Sequence, residues 1–409
     1  MSLNHHILAK VATDEVLSKF KKNEWKCAGG LGQEFYRVGT SADFPSPDAA
    51  FFDPTNKLII SFEFKPPTET KRGILTGVGQ SIAYLQDSNI SYLIAPKMLG
   101  NYNIGNYLSN LYNKHINTKL PVGLILYDNN EPLNMILAQN VDKLDDANAE
   151  YKMPKAERFW AKHVDLPIPL FHLILHYYYR NSTSRTEADP FAMCWQEKMI
   201  SSTLTDDFQT MPIYDLSGKV IKTVTGKKNL VYFEKKIPKL KGTHSEKQEL
   251  LKQEISTTTT GDNYYNSIKK NLVTFLKHLH MIDSGNRLTE RGFNLYHLGL
   301  VNEPTSKIFT DYFTKELLTV GHHLDLILDF DSIKQKKTSA DIEEIISTME
   351  EEYENKGYIK RNPNRMSCDE SNVKFLKYEK IIWKALDLMD KNYTINWRKI
   401  TEICSLKDI

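Results

Sequence analysis

The chain predicts an α/β N-terminal domain, built on a mixed sheet with helices on both faces, followed by a mainly α C-terminal region. Three observations carry this. Short β-branched and aromatic runs alternate with helical segments between residues 35 and 127. Beyond about residue 150 the pattern becomes helical. The composition is that of an ordinary globular chain: 409 residues, 41% hydrophobic, 25% charged, 53 basic against 51 acidic side chains, which excludes disordered or collagen-like classes.

Each element follows in order. Ile7, Leu8, Val11, Val16, Leu17 and Phe20 fall at helical spacing over residues 7–22. The glycine-rich corner Gly29-Gly30-Leu31-Gly32 ends that segment. Extended runs follow at 35–38, 49–52 and 57–64, the last (KLIISFEF) bounded by Pro54-Thr55-Asn56 and by Pro66-Pro67. Residues 79–86 predict a helix, 91–95 a strand, 103–114 a helix and 122–127 a buried strand. Strands joined by helices argue for a mixed sheet covered on both sides.

The remaining chain divides by texture. We expect a domain over 1–155, a helical and lysine-rich middle region over 156–256, and a third region over 257–409. Residues 156–212 look helical. Residues 218–247 carry nine lysines against Glu234 and Glu246 only, so they read as a solvated hairpin or as a phosphate-contacting surface, with Lys227 and Lys228 as contacts. STTTTG at 256–261 is the best linker. Ile268, Leu272, Phe275 and Leu279 then mark a helix, and RLTERG a hairpin leading into another helix. This is a winged-helix-like arrangement, which either reads DNA, through Lys269, Lys270 and Arg287, or docks a protein. Asn392-Tyr393-Thr394 lies between two final helices, as a second helix-turn-helix or as packing. The acidic 340–356 helix reads as a solvated face, and no internal repeat has a fixed period.

The four cysteines (Cys27, Cys194, Cys368, Cys404) lack zinc or disulfide spacing. No apolar run approaches a membrane span, the best, 169–179, being interrupted by His172 and His176, and the start MSLNHHILAK lacks the pattern of a secretion signal. The expectation is a soluble protein of a reducing compartment.

The chemistry concentrates in a short stretch. Glu-x-Lys occurs six times, but the Glu63 copy ends an apolar strand, and the only Pro-Asp dipeptide, Pro47-Asp48, lies fifteen residues upstream. Strand alternation puts Glu63 and Lys65 on one face. With Asp48 on a neighbouring strand they would make an oxygen-rich pocket suited to Mg²⁺, or Mn²⁺ in its place, beside an ammonium group able to orient water. Gln80 and Tyr84, four apart, share a face of the helix that follows, and Gly77 and Gly79 would let backbone approach a phosphate there. The rival triplet Glu234-Lys235-Lys236, with Asp215 as partner, has no such helix behind it. His172 and His176 read as helix packing, and His322-His323 as a helix surface.

Pro47-Asp48, Glu63-Phe64-Lys65 and Gln80-x-x-x-Tyr84, in an αβββαβ order, resemble the PD-(D/E)xK nuclease superfamily over roughly residues 1–130. The resemblance implies a restriction-endonuclease-like core, with Asp48 and Glu63 as metal ligands and Lys65 positioning the nucleophilic water. It also implies that Gln80 and Tyr84 contact the scissile strand or support the site, and that an upstream acid, Glu34, helps to hold the metal. Lys71 and Arg72 would hold phosphates or lie in a solvated loop. The length and the attached regions look most like a type II restriction endonuclease: a Mg²⁺-dependent enzyme acting on double-stranded DNA, commonly as a homodimer, in a prokaryotic cytoplasm at the nucleoid. The alternatives are a repair or recombination nuclease that reads structure, and a non-catalytic DNA-binding regulator on the same scaffold.

Overall fold

The computed structural model describes residues 3–28, 35–39, 46–117, 119–142, 144, 159–162, 167–184, 188–199, 212–227, 241–243, 245–250, 264–337, 341–359 and 375–407. Glu34, Lys228, Cys368 and the Glu234-Lys235-Lys236 triplet lie outside them. The chain divides into two compact units, each made of two stretches: Met1–Trp160 with His322–Phe375, and Ala161–Gly321 with Leu376–Ile409. Residues 322–375, within the stretch 257–409, belong with the first unit in this division.

The first unit is built on a six-stranded sheet in sequence order: β1 (Tyr36–Val38), β2 (Ala49–Asp53), β3 (Leu58–Phe64), β4 (Ile90–Pro96), β5 (Val122–Tyr127) and β6 (Met135–Gln139). The pairs β1–β2, β2–β3 and β5–β6 are antiparallel, whereas β3–β4 and β4–β5 are parallel. β3 and β4 are buried along their whole length, which is why they read as continuous apolar runs. β6 was not expected from the sequence, although Met135-Ile136-Leu137-Ala138 is an apolar run: the run is short and only Met135 is buried, as befits a strand at the sheet edge.

Helix α1 (Leu3–Lys21) covers one face of this sheet, its Phe20 ring against Tyr92 and its His5 ring against Phe64. α2 (Lys71–Ala83) and α3 (Ile104–Leu111) cover the other, closing a core of Ile74, Val78, Leu93, Ile104, Leu108 and Leu124. α2 starts eight residues before the expected helix, because Thr70 caps it: the Thr70 hydroxyl accepts from the Gly73 N–H. Gly77 and Gly79 thus sit inside the helix and not at its phosphate-facing start. The helix His323–Lys336 also belongs here, as does Ile342–Asn355, whose acidic outer face hides a buried row of Ile345, Ile346, Met349 and Tyr353. His322 and His323 are not a helix surface: His323 is fully buried, and His322, in the left-handed region, contacts Asp325 and Arg37.

The second unit is mainly helical, with helices Ile168–Ser184, Pro190–Cys194, Tyr264–His278, Glu290–Asn302, Lys307–Thr319, Lys377–Ala385 and Trp397–Cys404. Phe171 stacks on Phe275 and on Phe313. His172 and His176 pack on Tyr296, as expected. Three tight turns share one construction. In each an aspartate N–H donates to the carbonyl four residues on, and its Oδ1 accepts from that residue's N–H: Asp215 with Lys219, Asp283 with Arg287, Asp390 with Thr394. Gly218, Asn286 and Tyr393 take the positive φ these turns require. The Asp215 carboxylate is committed to its turn, which removes it as the acid of a rival site. The hairpin expected within 281–299 is one of these turns, bridged by Ile282 and Leu288, and Asn392-Tyr393-Thr394, read as part of a helix-turn-helix or as packing, lies in another, bridged by Met389 and Ile395. Among the described residues no helix is long and apolar enough to cross a membrane.

Candidate active site

The site forms where β2 enters the sheet and β3 leaves it. Ala49 pairs with Phe62, so continuing the antiparallel register by one residue sets Asp48 opposite Glu63. The Phe64 N–H donates to Asp48 Oδ2 at 2.8 Å, which fastens the aspartate to the end of β3. A strand residue's two backbone polar groups face the same neighbour, so the Phe64 carbonyl lies on the Asp48 side as well. His5 of α1 approaches Asp48 Oδ1 from the other side, with Nε2 at 3.6 Å.

Glu63 and Lys65 both face α2. Lys65 Nζ lies 2.7 Å from Glu63 Oε1 and donates to Gln80 Oε1 at 2.9 Å. The Tyr84 hydroxyl takes up the other Glu63 oxygen and also reaches the Ser46 carbonyl at 3.1 Å. Backbone bonds hold the lysine: its N–H donates to the Ile94 carbonyl, and its own carbonyl accepts from the Tyr127 hydroxyl at 2.8 Å. The latter replaces a ladder bond, because the β4 residue at that level is Pro96, which has no N–H. Gly77 allows α2 to lie this close, since a Cβ there would meet Lys65 Cε at 2.6 Å.

The electrostatics follow from burial. Glu63 is 4% exposed. Burial and then the charge of Asp48 push its carboxyl up to about 7, against the opposing pull of Lys65 and Tyr84. Burial acts on Asp48 in the same direction, but the nearby His5 ring, the Phe64 N–H and the charge of Lys65 outweigh it and hold Asp48 below the ordinary carboxylate value. Burial also raises the Tyr84 hydroxyl, as do the charges of Glu63 and Asp48, so it remains a donor.

A divalent cation fits this donor set. Asp48 and Glu63 with the Phe64 carbonyl make an oxygen-rich donor set beside one ammonium group, and burial, then the charge of Asp48, raises the cost of ionising Glu63 without a cation. Among the described residues no three or more His, Cys, Asp or Glu side chains gather as a metal cluster. Of the described residues, Asp48, Glu63 and the Phe64 carbonyl would hold such a cation, and Mg²⁺ commonly keeps water and substrate oxygens in its remaining positions.

The structure thus brings Asp48, Glu63, Lys65, Gln80 and Tyr84 together. Tyr84, considered as a DNA contact, is 2% exposed and faces Glu63, which makes it a support for the site. Lys71 and Arg72 are exposed on the first turn of α2, with Lys71 Nζ 3.9 Å from the centre of the Tyr102 ring. The other basic candidates lie outside this cluster. Lys227 and Lys270 are exposed, Lys269 is paired with Asp189, and Arg287 is exposed beside Asp283. Sequence reading missed His5, although the His5-His6 pair was visible, because no spacing rule ties a first helix to Asp48. It also missed Arg37, a β1 residue 3% exposed, which ion-pairs with Asp325 at 2.9 Å and reaches the Asp48 carbonyl at 3.5 Å. No protein-family model matches the chain, and no curated protein matches it in sequence.

Proposed function

We propose that the first unit is a Mg²⁺-dependent endodeoxyribonuclease of the PD-(D/E)xK kind, on a restriction-endonuclease-like core, hydrolysing phosphodiester bonds in double-stranded DNA. The observation that carries this reading is the placement of Lys65 Nζ between Glu63 Oε1 and Gln80 Oε1, beside a second carboxylate fastened to the same strand end. Asp48, Glu63 and the Phe64 carbonyl would hold the cation. A bound Mg²⁺ supplies charge neutralisation at the phosphate and lowers the pKa of bound water.

The chain's own groups do the positioning. Lys65 Nζ donates a hydrogen bond to the attacking water and aims it in line with the leaving oxygen. Gln80 keeps that ammonium group from collapsing wholly onto Glu63, and Tyr84 fixes the Glu63 rotamer by holding the oxygen Lys65 does not use. Water adds at phosphorus and the bond to the 3′ oxygen breaks, leaving 5′-phosphate and 3′-hydroxyl ends. The second unit, with its helix–turn–helix segments and exposed Lys270 and Arg287, serves as the winged-helix-like DNA-recognition part. Within the superfamily we favour a type II restriction enzyme, acting as a homodimer.

The test is digestion of long defined DNA with Mg²⁺ by the wild-type protein and by Asp48→Ala and Lys65→Ala. We expect discrete bands from the wild type, no cleavage by either variant, and DNA binding by both in Ca²⁺. Cleavage by Lys65→Ala at the wild-type rate would overturn the site. Smearing, or cutting confined to ends and branches, would favour a structure-reading nuclease; binding without any cleavage would favour a regulator.

A further inference from the structure

A second group of side chains stands at the same end and on the same face of the sheet as Glu63 and Lys65. β4 leaves the sheet one residue beyond the level of Lys65 and enters a tight hairpin in which Leu99 and Tyr102 exchange backbone bonds at 2.8 and 3.0 Å. Gly100, at φ +55°, makes the turn. Asn129 clamps its base, donating to the Met98 carbonyl at 2.8 Å and accepting from the Met98 N–H at 3.3 Å. The hairpin therefore presents Tyr102 on a braced support. The ring is nonetheless 41% exposed, with Lys71 Nζ 3.9 Å from its centre. Leu75, one turn along α2 from Lys71, and Tyr107 of α3 are each 44% exposed, and Arg72 lies open beside them. One face of the Tyr102 ring is taken by the Lys71 ammonium group, and the rest of the ring stays open to solvent beside two further exposed apolar side chains and the Arg72 guanidinium.

We infer that Tyr102, with Lys71 over its ring, is a stacking platform for an unpaired nucleobase next to the phosphodiester held at Glu63 and Lys65. The inference rests on the proposed nuclease reading and adds to it that the double-stranded substrate offers an open base face at the cut, a base leaving the stack there. Ring and cation together match the two parts of a nucleotide: the ring takes a base face, and Lys71 and Arg72 take the neighbouring phosphates. Inside a duplex each base face is covered by its neighbour, so such a ring distinguishes paired from unpaired DNA without reading sequence.

The test uses the full-length protein in EDTA, where no cleavage intervenes, with fluorescence anisotropy on a labelled single strand and on a blunt hairpin duplex whose loop and end are capped. Tyr102 is exposed, so Tyr102→Ala leaves the fold intact, which circular dichroism verifies. We expect Tyr102→Ala to weaken single-strand binding about tenfold, within the range for loss of one base stack, to shift capped-duplex binding less than twofold, and Tyr102→Trp to restore the wild-type value. Equal affinities of Tyr102→Ala and wild type for the single strand would overturn the platform. So would an equal loss on both DNAs, or wild-type protein that does not bind the single strand. The Mg²⁺ digest separates the two readings: a Tyr102-dependent strand preference without cleavage would sink the nuclease and keep the platform, whereas cleavage without that preference would do the reverse.

Discussion

Replacing Glu63 by glutamine tests the charge balance of the site without using catalysis. A carboxyl that ionises at about 7 in the folded chain, against an ordinary 4.5, binds a proton more tightly folded than unfolded. Its contribution to stability is therefore complete below about pH 4.5 and is lost as the pH rises through 7. At about 1.4 kcal/mol per factor of ten, the loss reaches about 3 kcal/mol by pH 8. Asp48 moves oppositely, its folded value being depressed, so its contribution fades only as the pH falls below its ordinary range. Comparing pH 5 with pH 8 isolates Glu63.

The assay is urea unfolding in EDTA at both pH values, wild type against Glu63→Gln. The stability difference should move in favour of the variant by about 2.5 kcal/mol between pH 5 and pH 8, since the amide has no charge to desolvate. Mg²⁺ at a hundredfold excess over its dissociation constant should then return about 2.7 kcal/mol to the wild type at pH 8 and little to the variant. Parallel pH profiles for the two proteins would refute the buried-carboxylate argument. Equal stabilisation of both by Mg²⁺ would refute Glu63 as a cation ligand.

Gly77→Ala should leave the protein folded but cut the cleavage rate at least tenfold, because the new methyl group must displace Lys65 or Leu93; an unchanged single-turnover rate would show that Lys65 needs no fixed place. Tyr84→Phe removes a donor that favours ionised Glu63, so the acid limb of the cleavage profile should move about one pH unit upward, a shift read from rates between pH 5 and 9. Asp325→Asn breaks a buried pair with Arg37 and should cost about 3–5 kcal/mol in unfolding experiments. Truncation before Thr257 removes that aspartate with the helix His323–Lys336, so we expect loss of the folded first unit, visible as aggregation or lost circular dichroism.

The elements of the first unit could be read from the sequence wherever burial leaves a periodic mark. The helix before the glycine corner and the strands β2 to β5 carry apolar patterns that only their own secondary structure satisfies. Glu63 and Lys65 share a face for the same local reason, and Gln80 with Tyr84 likewise. The short apolar run of β6 was passed over in the sequence, being too brief at an edge to stand out, and patterning could not reveal the true start of α2, where a single threonine cap and not the apolar stripe sets the boundary.

What only the tertiary structure decided is everything that joins residues distant along the chain. The meeting of Asp48 with Glu63 depends on strand register, and the approach of His5 on how α1 packs. The Arg37–Asp325 pair joins residues far apart along the chain, and it gives one reason why the first unit needs a helix from beyond residue 320. Such contacts leave no periodic trace, because a buried charge is tolerated by virtue of its partner and not of its neighbours in sequence.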